Sequence, residues 1–188
     1  MGTTRTLRAD AERSMRAIMT AAEELFGVNP AATMEQIAEV AGVSRVTVHR
    51  RFPNREALVE AMETAAWREI AGAVDAARPE TAPPAVVLHQ ATAHILRIKT
   101  GWRFTLARPV PVSETARAIR DEVTARCERT LARAKEAGLL GPHADVVWAR
   151  QAYLALLAET AHTAPDDADP DALASRVIDT LLHGLGGR

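Results

Sequence analysis

The chain has 188 residues, enough for one mid-sized domain or two small ones around a buried core. Its 23 Lys+Arg against 24 Asp+Glu leave a net charge of -1, which excludes a polycationic protein of the histone kind and makes any nucleic-acid surface local. A single cysteine, Cys127, excludes an internal disulfide framework and a multi-cysteine zinc site, and suits a reducing compartment.

The opening "MGTTRTLRADAER" has positive charge but no apolar segment behind it, and no uncharged apolar run approaches the roughly 18 residues of a membrane span. A soluble, cytoplasmic protein with no membrane partner is expected. Residues 1–55 carry 8 basic and 6 acidic groups and residues 56–188 carry 15 and 18, so the sign of the charge changes along the chain.

In chain order, nearly every segment has helical periodicity and no strand is convincing, which predicts an all-α fold. Met15, Ile18, Met19, Ala22, Leu25 and Phe26 form one stripe over Ala11–Phe26, with Gly27 as the expected stop. Thr33 with Gln36 reads as a capping box for a short helix ending at Gly42. Ser44 caps the next, with Val43 and Val48 in the positions of a hydrophobic staple, and Phe52-Pro53 breaks it. Asn54 caps a helix to about Ala77, and "RPETAPP" at 78–84 is linker-like. Beyond it lie a helix over 85–100, an irregular or single-turn segment between Gly101 and Pro111, and a long helix from Ser113 to Ala137. A helix opening at Pro142 or His143 and one opening at Asp169-Pro170 complete the chain.

Ala41–Arg55 holds four arginines, a histidine and no acid. Two short helices separated by "AGVS" have the spacing of a helix-turn-helix, with Gly42 supplying the left-handed turn. Val48 and Phe52 are four apart and should face the core, which leaves Arg45, Val46, His49 and Arg50 outward. A helix of this size fits the major groove, where Arg45 or Arg50 suits guanine and Val46 a thymine methyl. Thr47, His49, Arg51 and Arg55 suit phosphates, as do Arg5 and Arg8 ahead of the first stripe. A solvated basic face is the plainer alternative.

The run "ATMEQIAEVAGVSRVTVHRRFPNREALVEAM" resembles the DNA-binding domain of the TetR family of bacterial transcriptional regulators, over about Thr33 to Met62. The resemblance implies a ligand-responsive regulator, most simply a repressor, that binds a double-stranded DNA operator as a homodimer. It implies that Arg45, Val46, Thr47, His49 and Arg50 face DNA, with Ser44 at the turn, and that Thr33 and Arg55 hold phosphates. His49 stands where the family carries a tyrosine, so affinity is expected to rise mildly as pH falls and the imidazole protonates. The implied division is 1–54 for DNA binding, 55–84 as connecting helix and linker, and 85–188 for effector binding and dimerisation.

In the second half, Trp67, His94, Trp102 and Phe104, with Cys127, Trp148 and Tyr153, are the large or polar groups among Ala-rich helices and make up a candidate effector pocket. Arg97, Lys99, Arg103 and Arg108 could meet an anionic effector. The last two helices are more apolar than one stripe requires, so Leu154, Leu157, Val177 and Leu181 are candidate dimer contacts. Nothing favours an enzyme or a bound cofactor. Glu159-x-x-His162 lacks the second copy a di-iron site needs, His89 and His94 diverge on a helix, and Cys127 has no catalytic partner in sequence. A helical small-molecule carrier or enzyme with an incidental basic helix, or a DNA-binding activator or architectural protein without effector, remain open alternatives.

Overall fold

The computed structural model describes residues 3–107, 110–165 and 167–184, with side chains from Asp10 onward. Among the described residues the regular elements are all α-helices: α1 Thr3–Val28, α2 Met34–Val40, α3 Arg45–Arg51, α4 Arg55–Ala76, α5 Pro84–Gly101, α6 Arg103–Leu106, α7 Glu114–Glu136, α8 Val146–Thr163 and α9 Pro170–His183. The expected all-α class is the observed one.

Local chemistry explains most boundaries. Thr33 Oγ1 accepts from Gln36 N at 3.3 Å while Gln36 Oε1 accepts from Thr33 N at 2.8 Å, closing the start of α2 from both sides. Ser44 Oγ accepts from Thr47 N at 3.1 Å at the start of α3. Between them Gly42 has φ +65°, and Val43 N reaches back to Ala38 O at 3.0 Å. Gly138, φ +76°, ends α7 by the same device, with Leu139 N on Ala134 O.

Two expected boundaries move. Gly27 does not stop α1: the helix runs on to Val28, and Asn29 N still donates to Leu25 O at 2.7 Å. A glycine ends a helix only when the chain needs its positive φ, and Gly27 does not adopt one. The helix expected from Pro142 or His143 begins at Val146, because Asp145 is the residue whose carboxylate accepts from Val147 N and Trp148 N, at 2.8 and 3.1 Å.

The chain forms two compact units: Met1–Ala65 with Trp102–Ser113, and Ala66–Gly101 with Glu114–Arg188. The core of the first is built from Ile18, Ala22 and Phe26 of α1, Ile37 of α2, Val48 of α3, and Leu58 and Met62 of α4. In the second, α5 packs on α7, α8 and α9, and α8 packs on both α7 and α9. Its α4–α5 connection is tied to α7, where Arg126 pairs with Asp75 and Arg133 donates to the carbonyls of Pro79 and Ala82. No helix of the described residues is long and apolar enough to cross a membrane.

Candidate nucleic-acid interface

The short helix α3 buries one side chain completely, Val48, and its C-cap Phe52 is buried beside it. Four apart on one face, these two fix the rotation of α3 about its axis. Arg45, Val46, His49 and Arg50 consequently stand in solvent, with Val46 75% exposed. Thr47 and Arg51 are half-buried. The hydroxyls of Thr47 and Ser44 share a hydrogen bond of 2.8 Å, so both are engaged at the cap. Arg51 is folded partly inward, its Nε buried without a partner.

His49, Arg50 and Arg51 occupy the last turn of α3, where cations interact well with the helix dipole. Their clustering therefore costs the free protein little. One acid stands close by: the Glu35 carboxyl is held below the usual range by hydrogen bonds from backbone and from Thr33, with further attraction from Arg45 and His49. It stays charged at neutral pH and tempers the positive surface locally.

Arg55, the first residue of α4, has two roles. Its guanidinium lies 3.8 Å over the Phe26 ring, and it donates to Ala32 O at 2.9 Å and Pro30 O at 2.6 Å. It thus holds the α1–α2 loop and, through it, the exposed Thr33 at the start of α2. Arg108 lies outside the described residues, as do the side chains of Arg5 and Arg8.

The candidate effector residues are not all brought together. Trp102 and Phe104 belong to the first unit and pack against its core, where Phe104 meets Phe26 at 5.2 Å between ring centroids. In the second unit Tyr153 is buried, its hydroxyl 2.9 Å from Thr92 Oγ1, and Cys127 lies within electrostatic reach of it. Burial pushes the Tyr153 phenol up, and pushes the Cys127 thiol up to about 12, so both stay protonated near neutrality. A thiol so placed is a packing group rather than a reactive one. His94 and Trp67 are half-buried, and Nδ1 of His94 is buried without a partner. Trp148 is 68% exposed, outside any interior.

Of the candidate dimer residues, Leu157 and Val177 are buried in the core of their own unit. An apolar helix with two buried-looking faces does not declare which one turns inward. Leu181 is half-buried, while Leu154, together with Val147 and Trp148, is exposed on α8.

Two further groups were not singled out from the sequence. Glu23 of α1 and Glu63 of α4 each accept backbone amides of the segment Trp102–Ser113. The available signal was Glu63 itself, an acid directly beside Met62 in a stretch whose neighbours face the core.

The pattern of the bacterial regulatory proteins of the tetR family matches residues 18–62, the span that holds α2, α3 and their turn. Over 174 residues the chain is 25% identical to the HTH-type transcriptional repressor LfrR of Mycolicibacterium smegmatis, covering 93% of this chain and 91% of LfrR. The crystal structure of LfrR in complex with proflavine superposes with a TM-score of 0.71, covering 94% of this chain and 98% of that one. PfmR of Thermus thermophilus, a TetR family transcriptional regulator, is 21% identical with a TM-score of 0.77, covering 90% and 99%. FadR of Bacillus subtilis in complex with stearoyl-CoA is 20% identical with a TM-score of 0.70, covering 91% and 99%. Residues 18–62 thus carry the helix-turn-helix pattern of the tetR family of bacterial regulatory proteins, with the cationic face of α3 turned outward, and the chain shares the fold of such regulators over nearly its whole length.

Proposed function

We propose that this DNA-binding regulator works in the cytoplasm as a homodimer that represses by occupying a palindromic operator and leaves it when a small molecule binds the second unit. The observation that carries the DNA half of this reading is the face of α3, where Arg45, Val46, His49 and Arg50 are exposed on a helix locked in rotation by Val48 and Phe52. Arg45 and Arg50 read base edges, Val46 packs on a thymine methyl, and Thr33, Ser44, Thr47, His49, Arg51 and Arg55 sit at the phosphates. The protein is not an enzyme in this reading.

Supporting the dimer are Val147, Trp148 and Leu154, apolar groups that α8 leaves exposed. Two-fold symmetry would present two copies of α3 to half-sites about 10 bp apart or a multiple of that. The complexes of LfrR with proflavine and FadR with stearoyl-CoA support a bulky organic effector. His94, Cys127, Tyr153 and Trp67 are the groups of the second unit nearest to what such a ligand needs. Releasing DNA a hundredfold requires about 2.7 kcal/mol of coupling between the two sites.

Selection from a random duplex library, followed by a salt titration on the winner, tests the reading. An enriched palindrome whose affinity falls steeply with salt is expected, whereas no enrichment and shallow salt dependence would reduce the α3 arginines to a solvated surface. Leu154→Glu should move the protein from dimer to monomer in sedimentation and lower operator affinity by an order of magnitude or more. An unchanged dimer would remove α8 from the interface.

A further inference from the structure

The segment Trp102–Ser113 belongs to the first unit, although the helices that precede and follow it in the chain, α5 and α7, belong to the second. It is held at two separated points by carboxylates. At one end Glu23 of α1 accepts from Phe104 N, from the Thr105 hydroxyl, and from Thr105 N at 3.2 Å. At the other, Glu63 of α4 accepts through Oε2 from Val112 N at 2.8 Å and Ser113 N at 2.9 Å, and the Thr64 and Ser113 hydroxyls meet at 3.1 Å.

Glu63 is 1% exposed and its Oε1 is buried without a partner, so the two amides supply the charge-assisted bonds by which this carboxylate tolerates burial. Neither acid lies on α3 or at its caps, so neither is placed to touch DNA. Both lie on the helices that carry the core residues under α3, namely Phe26 of α1 and Leu58 and Met62 of α4.

We propose that Glu23 and Glu63 are positioning residues: a two-point carboxylate latch that clamps Trp102–Ser113 across α1 and α4 and so fixes the setting of the reading helices in the operator-bound dimer. This rests on the operator-binding dimer described above. A glutamine keeps the volume but removes the charge that strengthens these bonds: at position 23, where both oxygens accept, its NH2 must also face a donor, and at position 63 one carbonyl oxygen keeps the two amides as weaker neutral bonds. The latch then loosens while the core beneath it stays packed.

The test uses the full-length protein and the variants Glu23→Gln, Glu63→Gln and the double replacement. Hydrogen exchange is read at the amides of Phe104, Thr105, Val112 and Ser113. Binding is read on the selected operator and on versions with one base pair added or removed between half-sites. Exchange should quicken about tenfold or more at Phe104 and Thr105 in Glu23→Gln, and at Val112 and Ser113 in Glu63→Gln, with α2 and α3 unchanged. A spacing penalty of about tenfold in the wild type should fall below about threefold in the double variant.

Unchanged exchange, or quickened exchange with an unchanged spacing penalty, overturns the proposal. A uniform loss of affinity on all spacings would make the two acids structural only and overturn it equally. Should Glu63→Gln fail to fold, Glu23→Gln and Thr105→Val carry the same two readouts. If the wild type selects no operator, the dimeric-repressor reading fails by itself, and the exchange rates alone decide the latch.

Discussion

Phe26→Ala should remove about 3–5 kcal/mol from the stability of the first unit, as large-to-small changes of fully buried aromatics do. The ring is 0% exposed at the centre of a core that draws on four helices. It also makes two ring contacts: Arg55 lies over it at 3.8 Å and Phe104 is tilted against it at 49°. A desolvated cation over a ring contributes up to about 2 kcal/mol and an aromatic pair about 0.5–1.5 beyond burial, so the loss should lie toward the upper end of the range. Urea unfolding followed by circular dichroism measures it. Phe26→Leu, which keeps most of the volume and loses both ring contacts, should cost less than half as much. A loss under about 1 kcal/mol for the alanine variant would mean that the cavity collapses freely and that the ring is no keystone.

The second large effect concerns DNA. Arg45→Ala and Arg50→Ala should each cost about 1–3 kcal/mol of operator affinity and relax preference at the base pair each one reads, because a bidentate guanine contact has no substitute in water. Both side chains are exposed on a helix whose rotation is set elsewhere, so their removal should leave the melting temperature within a degree or two. Arg55→Ala should behave otherwise. It should weaken all duplexes alike and also lower the melting temperature, since its guanidinium holds the carbonyls of Pro30 and Ala32 and covers Phe26. Competition binding against point-mutated operators, with a melting curve for each variant, separates the two patterns. If all three variants lose affinity uniformly across sequences, the division between reading and positioning is wrong.

The parts of this fold that local chemistry decides were legible in the sequence. The capping box at Thr33, the Ser44 cap, Gly42 and the Val48–Phe52 pair depend on neighbours within a few residues, and the helix-turn-helix follows from them. What was not legible depends on long-range packing. Trp102 and Phe104 sit in the chain between α5 and α7, yet pack with α1, a partner some eighty positions away in sequence. Leu157 and Val177 share apolar stripes with Leu154 and Leu181, and only the packing of α8 and α9 decides which members face inward. Arg55 read as a hand for phosphate; its grip on two carbonyls and a ring required knowing where the α1–α2 loop returns. Glu23 and Glu63 were not singled out, because a carboxylate that accepts distant amides has no sequence spacing of its own.

Gly42 adds one consequence. Its φ is +65°, yet a methyl group built on its α-carbon would find no atom within 4 Å. The turn that aims α3 therefore excludes an ordinary side chain by chirality and not by volume. A mirror-image alanine, for which that dihedral is the comfortable one, would narrow the freedom of the unfolded chain and so favour the folded turn by about 0.4–1 kcal/mol. The aim of α3 is thus encoded at this position as a handedness.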